Sequence, residues 1–347
     1  MGAGMGVGAV AVVLLIFVGM VCLIRRKSKS RSQTTSTSIS AKPAPKSPKD
    51  TYTRGSQKSF ATSAFRRMYR EPDSAPRWHH QLEAAVDALV QAYAKRNGLS
   101  LAAGQAFFAT LRTNALASAI GGGDSAELLQ ADQLKFIAVR LWTSAAKLGE
   151  REFCSILNDA IRDDDSATIG HAVTIAHALN NFCVTRRHDS ATPTAWPSSN
   201  ITFRGTAMPR CHRAFFTKGK KYRAPMFLAT SVREDVSVDS FLMRLAPPND
   251  DQTPPSQEPV LWRFHLDGTL PQNRRCLQAN FIGRTDGTAN EEHEFLYSPY
   301  SAFTVRAVHW EAEPCVNTYE RRFHTIDIDV APDNLREPDD LPLAPWC

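Results

Sequence analysis

Glu292-His293-Glu294 sets two carboxylates two residues apart, in an acidic run that leads directly into Phe295-Leu296-Tyr297-Ser298-Pro299-Tyr300. As a strand, this stretch projects Glu292 and Glu294 from one face and His293 from the other, because side chains alternate with period 2. Carboxylates one strand repeat apart, roughly 6.5–7 Å, can share a site and take different parts in bond cleavage. One can stabilise a cationic sugar carbon while the other positions the attacking group. Out of context, the same run reads equally as a solvated acidic loop end before a buried strand. The residues that follow are β-prone and interrupted by Pro299, which suits an edge or kinked strand.

Other chemistry-bearing residues are scattered. Arg204, in Thr202-Phe203-Arg204-Gly205-Thr206, reads in isolation as a strand-edge arginine, and Thr230-Ser231 as an ordinary strand-end hydroxyl pair. Asp163-Asp164-Asp165 follows Arg162 and looks like a solvated loop at a helix end rather than a cation site. The seven cysteines form no C-x-x-C pairs and no Cys/His clusters at zinc spacing, so no metal is expected. His79-His80, His171 and His177 also lack ligand spacing. Cys154 and Cys183 lie in apolar helical patterns, where inert buried thiols are usual. Glycine-rich phosphate fingerprints are absent.

The elements that must position these residues change character along the chain. Leu82, Val86, Leu89, Val90 and Tyr93 fall on one helical face, with Gly98 as a stop. Helical spacing continues over Leu101–Ile120, Glu127–Leu148, Glu150–Arg162 and Ile169–Cys183. From Ile201 onward, short β-prone runs alternate with turn-rich loops, including the Pro-rich stretch Pro247–Pro259. Helices first and strands afterwards predict an α+β fold, a helical subdomain followed by a mixed β-sheet core. The expected divisions are 1–24, 25–75, an additional helical segment over 76–125, and a domain over 126–347 whose helical part is 126–200 and whose β part is 201–347.

The 347 residues carry a net charge of +6, unevenly placed. Residues 25–70 hold thirteen Lys/Arg against Asp50 alone, which leaves residues 71–347 net acidic. The basic balance therefore belongs to a tail, and no nucleic-acid partner is implied for the folded part. Met5–Ile24 is apolar and uncharged, long enough as a helix to span about 30 Å of hydrocarbon. A cleaved signal peptide would bring a basic n-region and a small-residue cleavage site, and neither stands out. The basic cluster Arg25-Arg26-Lys27-Ser28-Lys29-Ser30-Arg31 follows directly. A single-pass membrane anchor over residues 5–24, with the remainder on the cytoplasmic side, is the expectation. Residues 25–75, rich in Ser, Thr, Lys and Pro, read as a flexible tether. Asn200-Ile201-Thr202 is a glycosylation sequon of little weight for a cytoplasmic domain.

Taken in order, three pieces resemble the arginine-type mono-ADP-ribosyltransferases. Thr202-Phe203-Arg204-Gly205-Thr206 looks like the family's Arg-Gly strand, Phe227-Leu228-Ala229-Thr230-Ser231 its Phe-x-Ser-Thr-Ser strand, and Glu292-His293-Glu294-Phe295-Leu296 its Glu-x-Glu followed by an aliphatic strand. Upstream, Leu141-Trp142-Thr143 and Phe153 through Leu157-Asn158 to Ile161-Arg162 resemble the helical half, so the likeness covers about residues 130–330. It implies an NAD cleft, with NAD+ as co-substrate and a protein arginine as acceptor. Arg204 would bind the pyrophosphate and the Gly205 backbone would approach the nicotinamide amide. Phe241 would pack on the nicotinamide, and Thr230 and Ser231 would support the catalytic strand. Glu294 would stabilise the oxocarbenium-like transition state and Glu292 would serve the acceptor guanidinium, with 283–288 as the acceptor-recognition turn.

One departure stands out. Ala229 occupies the place of the first serine of Ser-Thr-Ser, the hydroxyl that usually holds the catalytic glutamate. An NAD glycohydrolase, or a catalytically weak or silent module binding NAD or a protein, is therefore the alternative to a transferase.

Overall fold

The computed structural model describes residues 59–70, 78–117, 131–183, 199–243, 257–266, 279–281, 293–316, 320–331 and 337–346. The chain divides into two units, 1–53 and 54–347, and every described residue lies in the second. The apolar span 5–24 and the loop 283–288 fall outside the described residues, as does Glu292. No described helix is long and apolar enough to cross a membrane.

The first half is helical. A 3-10 turn at Phe60–Thr62 leads into α1 (Ala64–Tyr69), then α2 (Trp78–Arg96), α3 (Leu101–Ala117) and α4 (Ala131–Trp142). A hairpin of β1 (Lys147–Leu148) and β2 (Arg151–Glu152) precedes α5 (Phe153–Asp163) and α6 (Ile169–Cys183). The helix expected through Leu148 thus closes at Trp142. Gly149 adopts φ 61°, which lets the two-residue turn fold Leu148 back onto Arg151. In α5 the buried residues Phe153, Ile156, Leu157, Ala160 and Ile161 recur at three- and four-residue spacing and make one apolar stripe.

The second half supplies β3 (Ile201–Pro209), β4 (Lys221–Arg223), β5 (Leu228–Ser231), a π-helical segment at Val236–Leu242, β6 (Gln257–His265), β7 (Ala279–Phe281), β8 (Glu294–Tyr297) and β9 (Ala302–His309). The short pair β10 (Cys315–Val316) and β11 (Arg321–Arg322) precedes β12 (His324–Ala331). Eight strands join one sheet in the order β4-β9-β12-β6-β3-β5-β8-β7. The β12–β6 pairing is parallel and the others are antiparallel, so the sheet is mixed and the fold is α+β.

Alternation along β8 shows how the sheet divides two cores. Leu296 joins a helical core with Leu82, Val86, Trp142, Phe153 and Leu179, whereas Phe295 and Tyr297 join a second core with Trp262, Phe264, Phe303 and Ile328. Apolar residues of α2 and α3 sit in the first core together with those of α4, α5 and α6, so residues 82–115 and 137–179 share one packed interior.

Residues 59–70, expected as part of a flexible tether running to residue 75, are folded. Phe60 and Phe65 are both fully buried. Burial of these two aromatic rings offsets part of the cost of ordering a short segment. Asp164 receives the N–H groups of Ala64 and Phe65 at 2.9 and 2.8 Å, filling the unsatisfied donors of the first turn of α1. Asp164, expected in a solvated loop, is 3% exposed for this reason.

Candidate functional site

The site forms where the sheet is most weakly joined. β3 pairs with β6 along nine residues but with β5 only at Phe203↔Ser231, so β3 and β5 splay apart from that point. β5 continues into β8 with Leu228↔Tyr297, Ala229↔Leu296, Thr230↔Phe295 and Ser231↔Glu294. Directly opposed residues share a face, which puts Ser231 beside Glu294 and Ala229 one repeat further along beside Leu296.

Glu294 is 8% exposed and opens β8. Its Oε1 accepts a hydrogen bond from the indole Nε1–H of Trp142 at 2.9 Å. Trp142 is the last residue of α4, so a helix from the first half of the chain meets the strand here. Trp142 packs on Phe227, with ring centroids 5.3 Å apart. Phe227 is fixed in turn by Asn158 of α5, whose Oδ1 accepts from Phe227 N–H at 2.8 Å and whose Nδ2 donates to the Phe227 carbonyl at 3.1 Å. Asn158 therefore anchors the start of β5 with both polar atoms of its amide.

The strand expected across 292–294 does not run through His293. That residue has φ 46°, in the left-handed region, and the Val232 N–H donates to its carbonyl at 3.1 Å. The period-2 argument for Glu292 and Glu294 required extended backbone at His293, and a left-handed residue interrupts the alternation.

Each remaining described residue singled out in the sequence has a definite place. Arg204 is partly buried on β3 and its Nη1 donates to the Ala229 carbonyl at 2.5 Å, bridging the splay between β3 and β5. Burial lowers the pKa of its guanidinium, and the charge of Glu294 opposes that shift. Thr230 Oγ1 donates to the Phe295 carbonyl at 2.8 Å and so ties β5 to β8. Ser231 Oγ accepts from Arg233 N–H at 3.1 Å where the strand turns away.

Gly205 faces the π-helical segment. A Cβ there would lie 2.2 Å from the Ser237 carbonyl and 2.8 Å from Leu242 Cγ, so glycine is what allows β3 and this segment to touch. Phe241 lies half-buried on the same segment, next to Leu242.

Cys154 lies close enough to feel both Glu152 and Glu294. Burial, with Glu152 next in weight, pushes its thiol up to about 11, so it stands as a neutral thiol rather than a nucleophile. Arg204 also lines a cavity of about 230 Å³, together with Arg162, Thr206, His212, Trp262 and Trp346. Among the described residues no group of His, Cys, Asp and Glu is placed to hold a metal ion.

Chemically, the site offers a buried carboxylate fixed by a neutral donor and a partly buried guanidinium nearby. Sequence spacing singled out Arg204, Ser231 and Glu294, and the chain brings all three to the one-pair join. Spacing missed the bond between Trp142 and Glu294 and the anchoring role of Asn158. Trp142 stood in the quoted helical piece, but nothing in a linear pattern ties an indole to a carboxylate so far along the chain.

No protein-family model matches this sequence, and no curated protein matches it. Among solved structures the chain is similar to the Vis toxin, an ADP-ribosyltransferase from Vibrio splendidus, at 17% identity and TM-score 0.36, covering 65% of this chain and 85% of that one. It is similar to the ADP-ribosyltransferase HopU1 of Pseudomonas syringae pv. tomato DC3000 at 12% identity and TM-score 0.38, covering 64% and 97%. The type III effector XopAI from Xanthomonas axonopodis pv. citri matches at 13% identity and TM-score 0.39, covering 77% and 94%. Likeness of this degree assigns no activity, and the functional reading stands on the geometry around Glu294 and Arg204.

Proposed function

We propose that this chain is an NAD-dependent mono-ADP-ribosyltransferase that transfers ADP-ribose to an arginine side chain of a protein and releases nicotinamide. The observation that carries this reading is the convergence of Glu294, buried and hydrogen-bonded, with Arg204 at the single-pair join of β3 and β5.

In the proposed reaction the bond between C1′ of the ribose and the nicotinamide nitrogen breaks, and its electron pair leaves with nicotinamide. Glu294 stabilises the positive charge that develops on C1′ and the ring oxygen, the task for which a fixed carboxylate is suited. Arg204 turns its guanidinium from the Ala229 carbonyl to the pyrophosphate, where a planar multi-donor cation binds well. Gly205, with Phe241 on the segment it packs against, lines the nicotinamide end. A guanidine nitrogen of the acceptor attacks C1′, and Glu292 accepts the proton it loses. The membrane anchor at residues 5–24 and a cytoplasmic position for the remainder belong to the same proposal and rest on the apolar span and the basic cluster behind it.

The test uses the full chain in detergent with NAD labelled in its adenosine half and agmatine as acceptor. Labelled agmatine and free nicotinamide are the expected products. Glu294→Ala is expected to lower both by at least about a hundredfold, as for loss of a principal transition-state group. Glu292→Gln is expected to lower transfer far more than NAD hydrolysis. Absence of both transfer and nicotinamide release from the wild-type chain would sink the proposal. Release without transfer to any arginine acceptor would point to a glycohydrolase.

A further inference from the structure

We propose that Trp142 is a positioning residue, whose indole N–H sets the orientation of the Glu294 carboxylate and couples the helical half of the fold to the reacting strand. This rests on the reading of Glu294 as the residue that stabilises the cationic sugar carbon.

The geometry is specific. Trp142 Nε1 lies 2.9 Å from Glu294 Oε1, and the two residues are 5% and 8% exposed. A hydrogen bond to a carboxylate in such a setting is stronger than one in water and costs more to lose. An indole N–H can only donate and does not ionise, so it imposes one direction on the carboxylate. The ring itself is held. Phe227 packs against it at a 60° tilt, and Asn158 fixes Phe227 through both backbone groups. On the facing strand, Ala229 brings a methyl group to the same side of the sheet as Ser231 and Glu294 and contributes no side-chain donor there.

Trp142→Phe removes one N–H and keeps an aromatic ring to pack on Phe227. The expected result is a fall in kcat for NAD cleavage of roughly 10–100-fold. KM for NAD is expected to change less than about threefold, because the lost interaction orients the reacting group rather than binding substrate. The thermal melt and far-UV spectrum of the variant establish that it is folded. A second measurement needs no turnover. In 15N-labelled protein, the indole resonance that Trp142→Phe deletes is assigned to Trp142, and it is expected to move when Glu294 is changed to Gln. The proposal is overturned if folded Trp142→Phe keeps its kcat, if it raises KM alone, or if the resonance ignores Glu294→Gln. A wild-type chain that cleaves no NAD overturns the function itself, whereas a wild type that cleaves and a Trp142→Phe that cleaves equally well overturns only this inference.

Discussion

A methyl group added at Gly205 would come within 2.2 Å of the Ser237 carbonyl, a backbone atom that cannot swing aside. Gly205→Ala is therefore expected to push the Val236–Leu242 segment off β3 and cost about 1–3 kcal/mol, read as a lower urea midpoint. If Gly205 and Phe241 line the nicotinamide end, KM for NAD rises with it. The single residues that define the site were legible in the sequence to different degrees. Arg204 and Glu294 belong to short patterns whose order along the chain carries information, so they could be singled out before any geometry was known. Trp142 could not, because its partner lies 152 residues away and a lone tryptophan at a helix end looks like any core aromatic. Asp164 was misplaced for a similar reason. Three successive aspartates read as solvated, and only the fold shows that the middle one meets the start of α1.

Elements were easier to read than their ends. The spacing of buried residues in α2, α5 and α6 is strictly helical, and burial of one stripe against a shared core is a strong local signal. Boundaries depended on single backbone angles at Gly149 and His293, which composition does not encode well. Packing between elements also sets a pH dependence. His177 of α6 stacks on Tyr69 of α1 with ring centroids 4.3 Å apart and planes within 3°. Burial pushes its pKa down from 6.5 to about 4. The folded chain thus holds this imidazole neutral where the unfolded chain takes up a proton. Stability is expected to be fully present above pH 6.5, to fall as the pH drops from about 6.5 to about 4, and to lose on the order of 2 kcal/mol over that window. Denaturant titrations at several pH values check this. His177→Gln should flatten that part of the profile while leaving a smaller, pH-independent loss from the missing stack.

Across the whole folded unit, the two ends of the described chain meet around one buried cation. Arg223 is 0% exposed and donates to the carbonyls of Tyr300 at 2.6 Å, Glu337 at 2.6 Å and Pro338 at 3.0 Å, while its guanidinium lies over the Phe60 ring at 4.7 Å. Asp339 adds ion pairs to Arg66 and Arg70 and accepts the Ala61 N–H through its carbonyl at 3.0 Å. Arg223→Met removes a charged donor from one buried and two part-buried carbonyls and is expected to cost about 3–5 kcal/mol in a denaturant melt. Limited proteolysis should then cut near residues 60–70 first. None of this was legible in the sequence, because it joins the first and last described segments through contacts 77 or more residues apart. The segregated order, helices before strands, predicted the α+β class but not which loose ends would close it. That closure bears on how the chain can be re-engineered. Since residue 61 is hydrogen-bonded to residue 339, a short linker could join the two ends of the described fold and new termini could be opened at the exposed turn Gly149–Glu150 between β1 and β2, giving a circular permutant with the same eight-stranded sheet order.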